Sequence, residues 1–135
     1  MKVSGDSNIS YSEDDELGIQ FVEWTSEAAA ELRQIVDEFS EPIPRGSEAV
    51  NRLYDLTHNI KGMGSSFNFD LMTAVGTSLC GYLKGLDGEA PVSRRVLAAH
   101  IRTFEVVLEH RITGNGGSQG EALRLRLDAI VQEES

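Results

Sequence analysis

Residues 47–67 read SEAVNRLYDLTHNIKGMGSSF, and the interpretation of the whole chain turns on them. Wound at about 100° per residue, the stretch gathers Ala49, Val50, Leu53, Leu56, Thr57, Ile60, Met63, Gly64 and Phe67 into one broad apolar stripe. His58 lies outside it, roughly 140° from Leu53, in the company of Asn51, Tyr54, Lys61, Gly62 and Ser65. The spacing therefore predicts a helix with a histidine on its wet side, a lysine three residues on, and no side chain four residues on. Ser47 is a good N-cap for this helix, with Glu48 in its first turn. Gly62 and Gly64 each cost about 1 kcal/mol relative to alanine inside a helix, so each calls for a reason in packing or function.

Outward from that helix, the pattern stays helical in both directions. Upstream, Phe21, Val22, Thr25, Ala28, Ala29, Leu32, Ile35, Val36 and Phe39 repeat at close to 3.6 residues. Ser12 and Asp15 resemble a capping box at its start, and the helix either runs unbroken from about Glu13 or bends near Thr25 and Ser26. Pro42 and Pro44 end it. Downstream, Asn68 and Asp70 open a third helix carrying Leu71, Met72, Val75, Leu79, Tyr82, Leu83 and Leu86, and Gly76, Gly81 and Gly85 weaken its regularity. After the turn DGEAP, Ser93 opens a fourth helix, with Leu97, Ile101, Phe104, Leu108 and Ile112 on its buried face. Gly114, Gly116, Gly117 and Gly120 read as a flexible linker before a last helix burying Leu123, Leu127, Ile130 and Val131.

No segment alternates with period two for long enough to make a strand, so the expected fold is all-α: an antiparallel four-helix bundle with an additional terminal helix. Residues 1–11 are expected to form a flexible N-terminal tail. Residues 12–135 form one helical domain, with the core bundle at about residues 20–113 and the C-terminal helix at about residues 121–133.

Composition removes several functional classes. No apolar run approaches the roughly 18 residues that span a bilayer, and the N-terminus lacks the apolar core of a signal peptide, which points to the cytoplasm and away from a membrane. The net charge is −10, and residues 1–41 hold 11 acids against Lys2 and Arg33, so −9 of it lies there. With no basic stripe to replace phosphate counterions, nucleic acid is not an expected partner. A lone cysteine, Cys80, excludes an internal disulfide and a multi-thiolate metal site. His100 and His110 lack the i, i+4 partners of helical zinc motifs, no serine or cysteine sits in a nucleophile elbow, and GNGGSQG lacks the lysine of a phosphate-binding loop. No metal, and no active site with its own turnover, is expected.

His58 retains a specific chemistry. An imidazole is neutral and nucleophilic in a useful fraction near neutral pH. Lys61 lies on the same side and would neutralise an anionic group carried on that ring, and Gly62 removes the side chain that would obstruct its approach. Gly64 lies on the buried face, where it allows close helix packing.

The run His58-Asn59-Ile60-Lys61-Gly62-Met63-Gly64-Ser65-Ser66-Phe67-Asn68-Phe69 resembles the signature of histidine-containing phosphotransfer (HPt) domains. The signature is a histidine, an aliphatic residue at +2, lysine at +3, glycine at +4, small residues near +6 and +7 and an apolar residue at +9. The close match covers about twelve residues, helix order extends it loosely from Phe21 to Leu108, and Phe67-Asn68-Phe69 is similar to the phosphotransfer domain of chemotaxis histidine kinases.

The resemblance implies a phosphoryl carrier in a two-component phosphorelay. In it His58 is the phosphoacceptor through Nε2, Lys61 the stabilising cation and Gly62 the clearance residue. The partners implied are a response-regulator receiver domain, which brings Mg²⁺ and its acidic ligands, or a histidine kinase. Docking would use Asn51, Tyr54, Asp55, Lys61 and Ser65. Two positions depart from the pattern: Asn68 stands where glycine is common, and Cys80 where many members carry a Glu or Gln that hydrogen-bonds the imidazole Nδ1. Thr77, one turn earlier, or Cys80 itself is then left to orient the ring. The expectation is a stand-alone monomeric carrier rather than a piece of a kinase. The alternative is an HPt-like helical adaptor that binds a receiver or another signalling protein without being phosphorylated.

Overall fold

The computed structural model describes residues 16–85 and 90–134. The expected tail, the Ser12 capping box, Leu86 and most of the DGEAP turn lie outside the described residues. Five helices follow in order: α1 Glu16–Asp37, α2 Glu48–Gly64, α3 Asp70–Gly85, α4 Arg94–Glu109 and α5 Gly117–Glu133, with a 3₁₀ turn at Ser65–Phe67. Among the described residues there is no strand. Ile43 and Val92, both fully buried, form a single antiparallel bridge, Ile43 N–H to Val92 O at 3.0 Å and the reverse at 2.8 Å. It ties the α1–α2 connection to the α3–α4 connection at the two positions that follow Pro42 and Pro91.

The caps read from the sequence are in place. Ser47 and Ser93 sit in extended backbone, and their hydroxyls accept the amides of Val50 and Val96. α1 runs unbroken through Thr25 and Ser26, because the Thr25 hydroxyl turns inward to donate to the Phe21 carbonyl at 2.8 Å and so fits inside the helix. α3 is regular despite its glycines. Asn68 adopts the left-handed conformation, φ 67°, that ends the 3₁₀ turn, a conformation asparagine tolerates better than most residues.

Among the first four helices each packs against two of the other three, α1 on α2 and α4 and α3 on α2 and α4, and α5 packs on α3 and α4. The core is continuous: Leu32, Leu53, Ile60, Phe69, Leu71, Leu79, Leu97, Ile101 and Phe104 are fully buried. Each such side chain contributes about 1.5–3 kcal/mol by leaving water. At one end of α1, Phe21 stacks on Phe67 and Phe69 at centroid distances of 4.6 and 5.7 Å, fixing the turn that follows α2.

Two sequence readings are corrected. α5 begins at Gly117 rather than near residue 121, so half of the glycine run is helix. Gly114, Gly116 and Gly117 take positive φ, and Gly120 is buried where an added Cβ would run into the Asn115 carbonyl oxygen. Met63 is exposed rather than part of the buried stripe.

Candidate functional site

α2 presents the site. His58 is exposed at mid-helix, with Asn51, Asp55, Gly62 and Ser65 also exposed and Tyr54 and Lys61 half-buried. The wheel thus placed His58 on the correct side, because Leu53, Leu56, Thr57 and Ile60 take the opposite face into the core. A Cβ built on Gly62 would meet nothing within 4 Å. The glycine fills no packing requirement, and its effect is to leave open space one turn above the imidazole.

The two other glycines near the site behave in the opposite way. A Cβ on Gly64 would come within 2.6 Å of the Thr73 hydroxyl and 2.8 Å of the Phe69 carbonyl oxygen. A Cβ on Gly76, in α3, would come within 2.9 Å of the Lys61 Cβ. α3 therefore approaches the backbone of α2 directly beneath Lys61, and the approach sets where the Lys61 side chain starts. Thr73 secures the same contact. Its hydroxyl donates to the Lys61 carbonyl at 3.0 Å and accepts from the Ser65 amide at 3.0 Å and the Ser65 hydroxyl at 3.2 Å. A side chain from α3 thus satisfies the Lys61 carbonyl, one of those that the end of α2 leaves open. Thr73 did not stand out in the sequence, and Gly76 read only as a weakness in α3; their roles depend on the distance between two helices, for which a single helix carries no signal.

Among the described residues Lys61 forms no ion pair, whereas Arg33, Arg52, Arg95 and Arg102 are each paired with a glutamate. Arg52, for example, holds Glu31 of α1 through two bonds at 2.6 and 2.8 Å, and that hydrogen bond keeps the Glu31 carboxyl below its ordinary range. The Lys61 ammonium is left available to an incoming anion.

The residues expected to orient the imidazole do something else. The Thr77 hydroxyl donates to the Thr73 carbonyl within α3 at 2.8 Å. Cys80 is buried, and burial pushes its thiol up, against the opposing pull of the Lys61 and Lys84 ammonium groups. Among the described residues no side chain hydrogen-bonds the His58 ring. What touches the ring is Tyr54, one turn earlier, stacked at a centroid distance of 5.9 Å with the two planes 16° apart.

The other histidines differ. His110 is exposed at the end of α4. His100 is fully buried, with Nδ1 at 2.8 Å from the Val96 carbonyl oxygen and Nε2 at 2.8 Å from the Ser78 hydroxyl. The carbonyl can only accept, so Nδ1 carries the proton and the Ser78 hydroxyl donates to Nε2 in the neutral ring. Burial lowers the pKa of His100, with the Val96 bond and Asp128 opposing. Among the described residues, no three His, Cys, Asp or Glu side chains converge to hold a metal ion, and no helix is long and apolar enough to cross a membrane.

Comparison with protein-family models, with curated proteins and with solved structures returns no match to this chain.

Proposed function

We propose that this protein is a phosphoryl carrier of the HPt type, accepting a phosphoryl group on His58 from the aspartyl phosphate of a receiver domain, or from a kinase, and returning it to another receiver. The observation that carries this reading is the open space at Gly62 beside an exposed imidazole and a lysine that forms no ion pair among the described residues. A glycine inside a helix costs about 1 kcal/mol. Here no packing contact offsets that cost, and a group brought to His58 would use the space it leaves.

The chemistry is a balanced exchange. With the proton on Nδ1, the Nε2 lone pair attacks phosphorus, the bond from phosphorus to the aspartate oxygen breaks, and the carboxylate leaves; the reverse sequence discharges the ring. Lys61 stabilises the phosphoryl charge from the same side of α2. The receiver supplies Mg²⁺ and its ligands, so the carrier needs no cofactor of its own. Asn51, Tyr54, Asp55 and Ser65 flank His58 on the face that a receiver would cover. The cyclic packing of α1 to α4 supports the four-helix bundle on which such carriers rest, with α5 as an added helix on the α3–α4 side.

The test is incubation with phosphorylated receiver domains from the source organism, followed through acid-labile phosphate on this chain. Transfer is expected, slowed about ten- to a hundredfold by Lys61→Ala, the range for one charge-assisted contact. No label on the wild type across the full set of receivers would replace the carrier with an adaptor of the same shape.

A further inference from the structure

We infer that Tyr54 is a positioning residue for the His58 imidazole, an inference that rests on the carrier reading above. An exposed imidazole on a helix turns freely about two side-chain bonds unless something holds it. Side chains on a helix lean toward its N-terminus, so His58 lies over the turn that carries Tyr54. The two rings are nearly parallel, 16° apart with centroids at 5.9 Å. Tyr54 is itself half-buried and packed against the core, so it forms an anchored plate rather than a second loose side chain.

The other means of holding the ring are committed elsewhere. The Thr77 hydroxyl bonds Thr73, Cys80 is buried, and among the described residues no side chain hydrogen-bonds the imidazole. A stack also suits transfer. It restrains tilt by setting an anchored, nearly parallel ring beside the imidazole, and it bonds neither nitrogen, both of which lie in the ring plane. On the next turn a Cβ built on Gly62 would meet nothing within 4 Å, so that position places no side chain beside the ring on the side away from Tyr54. Once phosphorylated on Nε2 and still protonated on Nδ1, the ring is a cation, which an aromatic face attracts more strongly than the neutral form.

The experiment compares wild type, Tyr54→Phe and Tyr54→Leu in two readouts: the chemical shifts of the His58 ring protons, and the rate of transfer from a phosphorylated receiver as a function of receiver concentration. Tyr54→Phe keeps the ring and is expected to keep the ring-current displacement and the maximal rate, with any loss of its hydroxyl from the docking face showing in half-saturation. Tyr54→Leu keeps the apolar bulk but not the ring. It is expected to remove the ring-current displacement of the His58 protons and to lower the maximal rate about two- to tenfold below that of Tyr54→Phe, the range of an aromatic pair contact. A wild-type maximal rate in Tyr54→Leu overturns the positioning role. So does an effect confined to half-saturation, which makes Tyr54 a docking contact. No phosphate on the wild type overturns the carrier reading and this inference with it, whereas labelled wild type with an unaltered Tyr54→Leu variant overturns this inference alone.

Discussion

His58 and His100 sit on helices of one domain and are treated in opposite ways. His100 is enclosed, and both of its nitrogens are engaged, one by a backbone carbonyl of its own helix and one by Ser78 across the α3–α4 contact. His58 is exposed, and among the described residues neither of its nitrogens is engaged and the ring of Tyr54 is what lies against it. A histidine kept for the fold is used up by the fold, as His100 is. His58, exposed on α2, takes no part in the core. The glycines divide in the same way: Gly64 and Gly76 are small because another chain segment lies against them, and Gly62 is small although nothing lies against it.

The largest expected effect separates the glycines. Gly64→Ala and Gly76→Ala each force a Cβ into backbone or a short side chain of the facing helix, and each is expected to destabilise the protein by about 1–3 kcal/mol in urea unfolding. Gly62→Ala is expected to do the reverse, stabilising by up to about 1 kcal/mol through helix propensity while slowing transfer. A loss of stability in Gly62→Ala would mean that the open space has a structural role and would remove the contrast.

A smaller effect sharpens the pair of histidines. Because burial holds the folded-state pKa of His100 below its unfolded value, the unfolded chain binds a proton that the folded chain refuses. The stability from the neutral ring is therefore complete above about pH 6.5 and is lost as pH falls from there toward the folded-state pKa. Melting temperatures between about pH 7.5 and about pH 5 should fall in the wild type and fall less in His100→Gln. Equal slopes would show that another group sets the pH dependence. Glu31 and Glu134, also held below their ordinary range, are solvent-exposed and titrate below this window.

Much of this was legible in the chain. The 3.6-residue stripes of α1 and α2, the serine caps of α2 and α4 and the exposed side of α2 are local properties, set by residues within a turn or two of each other. What was not legible depends on two elements meeting. The glycine run read as a linker because glycine disfavours helix, yet α5 starts inside it where Gly120 lies against Asn115 and beside Leu71 of α3. Met63 read as core because it falls near the edge of a wide stripe, and no neighbouring helix covers it. The enclosure of His100 could not be read from its own helix, because its Ser78 partner lies on another. The site divides along the same line: His58, Lys61 and Gly62 share one helix face and could be read together, whereas the Thr73 clamp and the seat of Lys61 on Gly76 required α3 to be in place.

The most direct measurement of the central claim is to locate the phosphate after exposure to a phosphorylated receiver, by fragment mass spectrometry of wild type, His58→Gln and His100→Gln under conditions that preserve phosphohistidine. Label is expected on His58 in the wild type and in His100→Gln, and none in His58→Gln. Label that persists in His58→Gln, or a wild type that never acquires it, would show that His58 is not the phosphoryl acceptor.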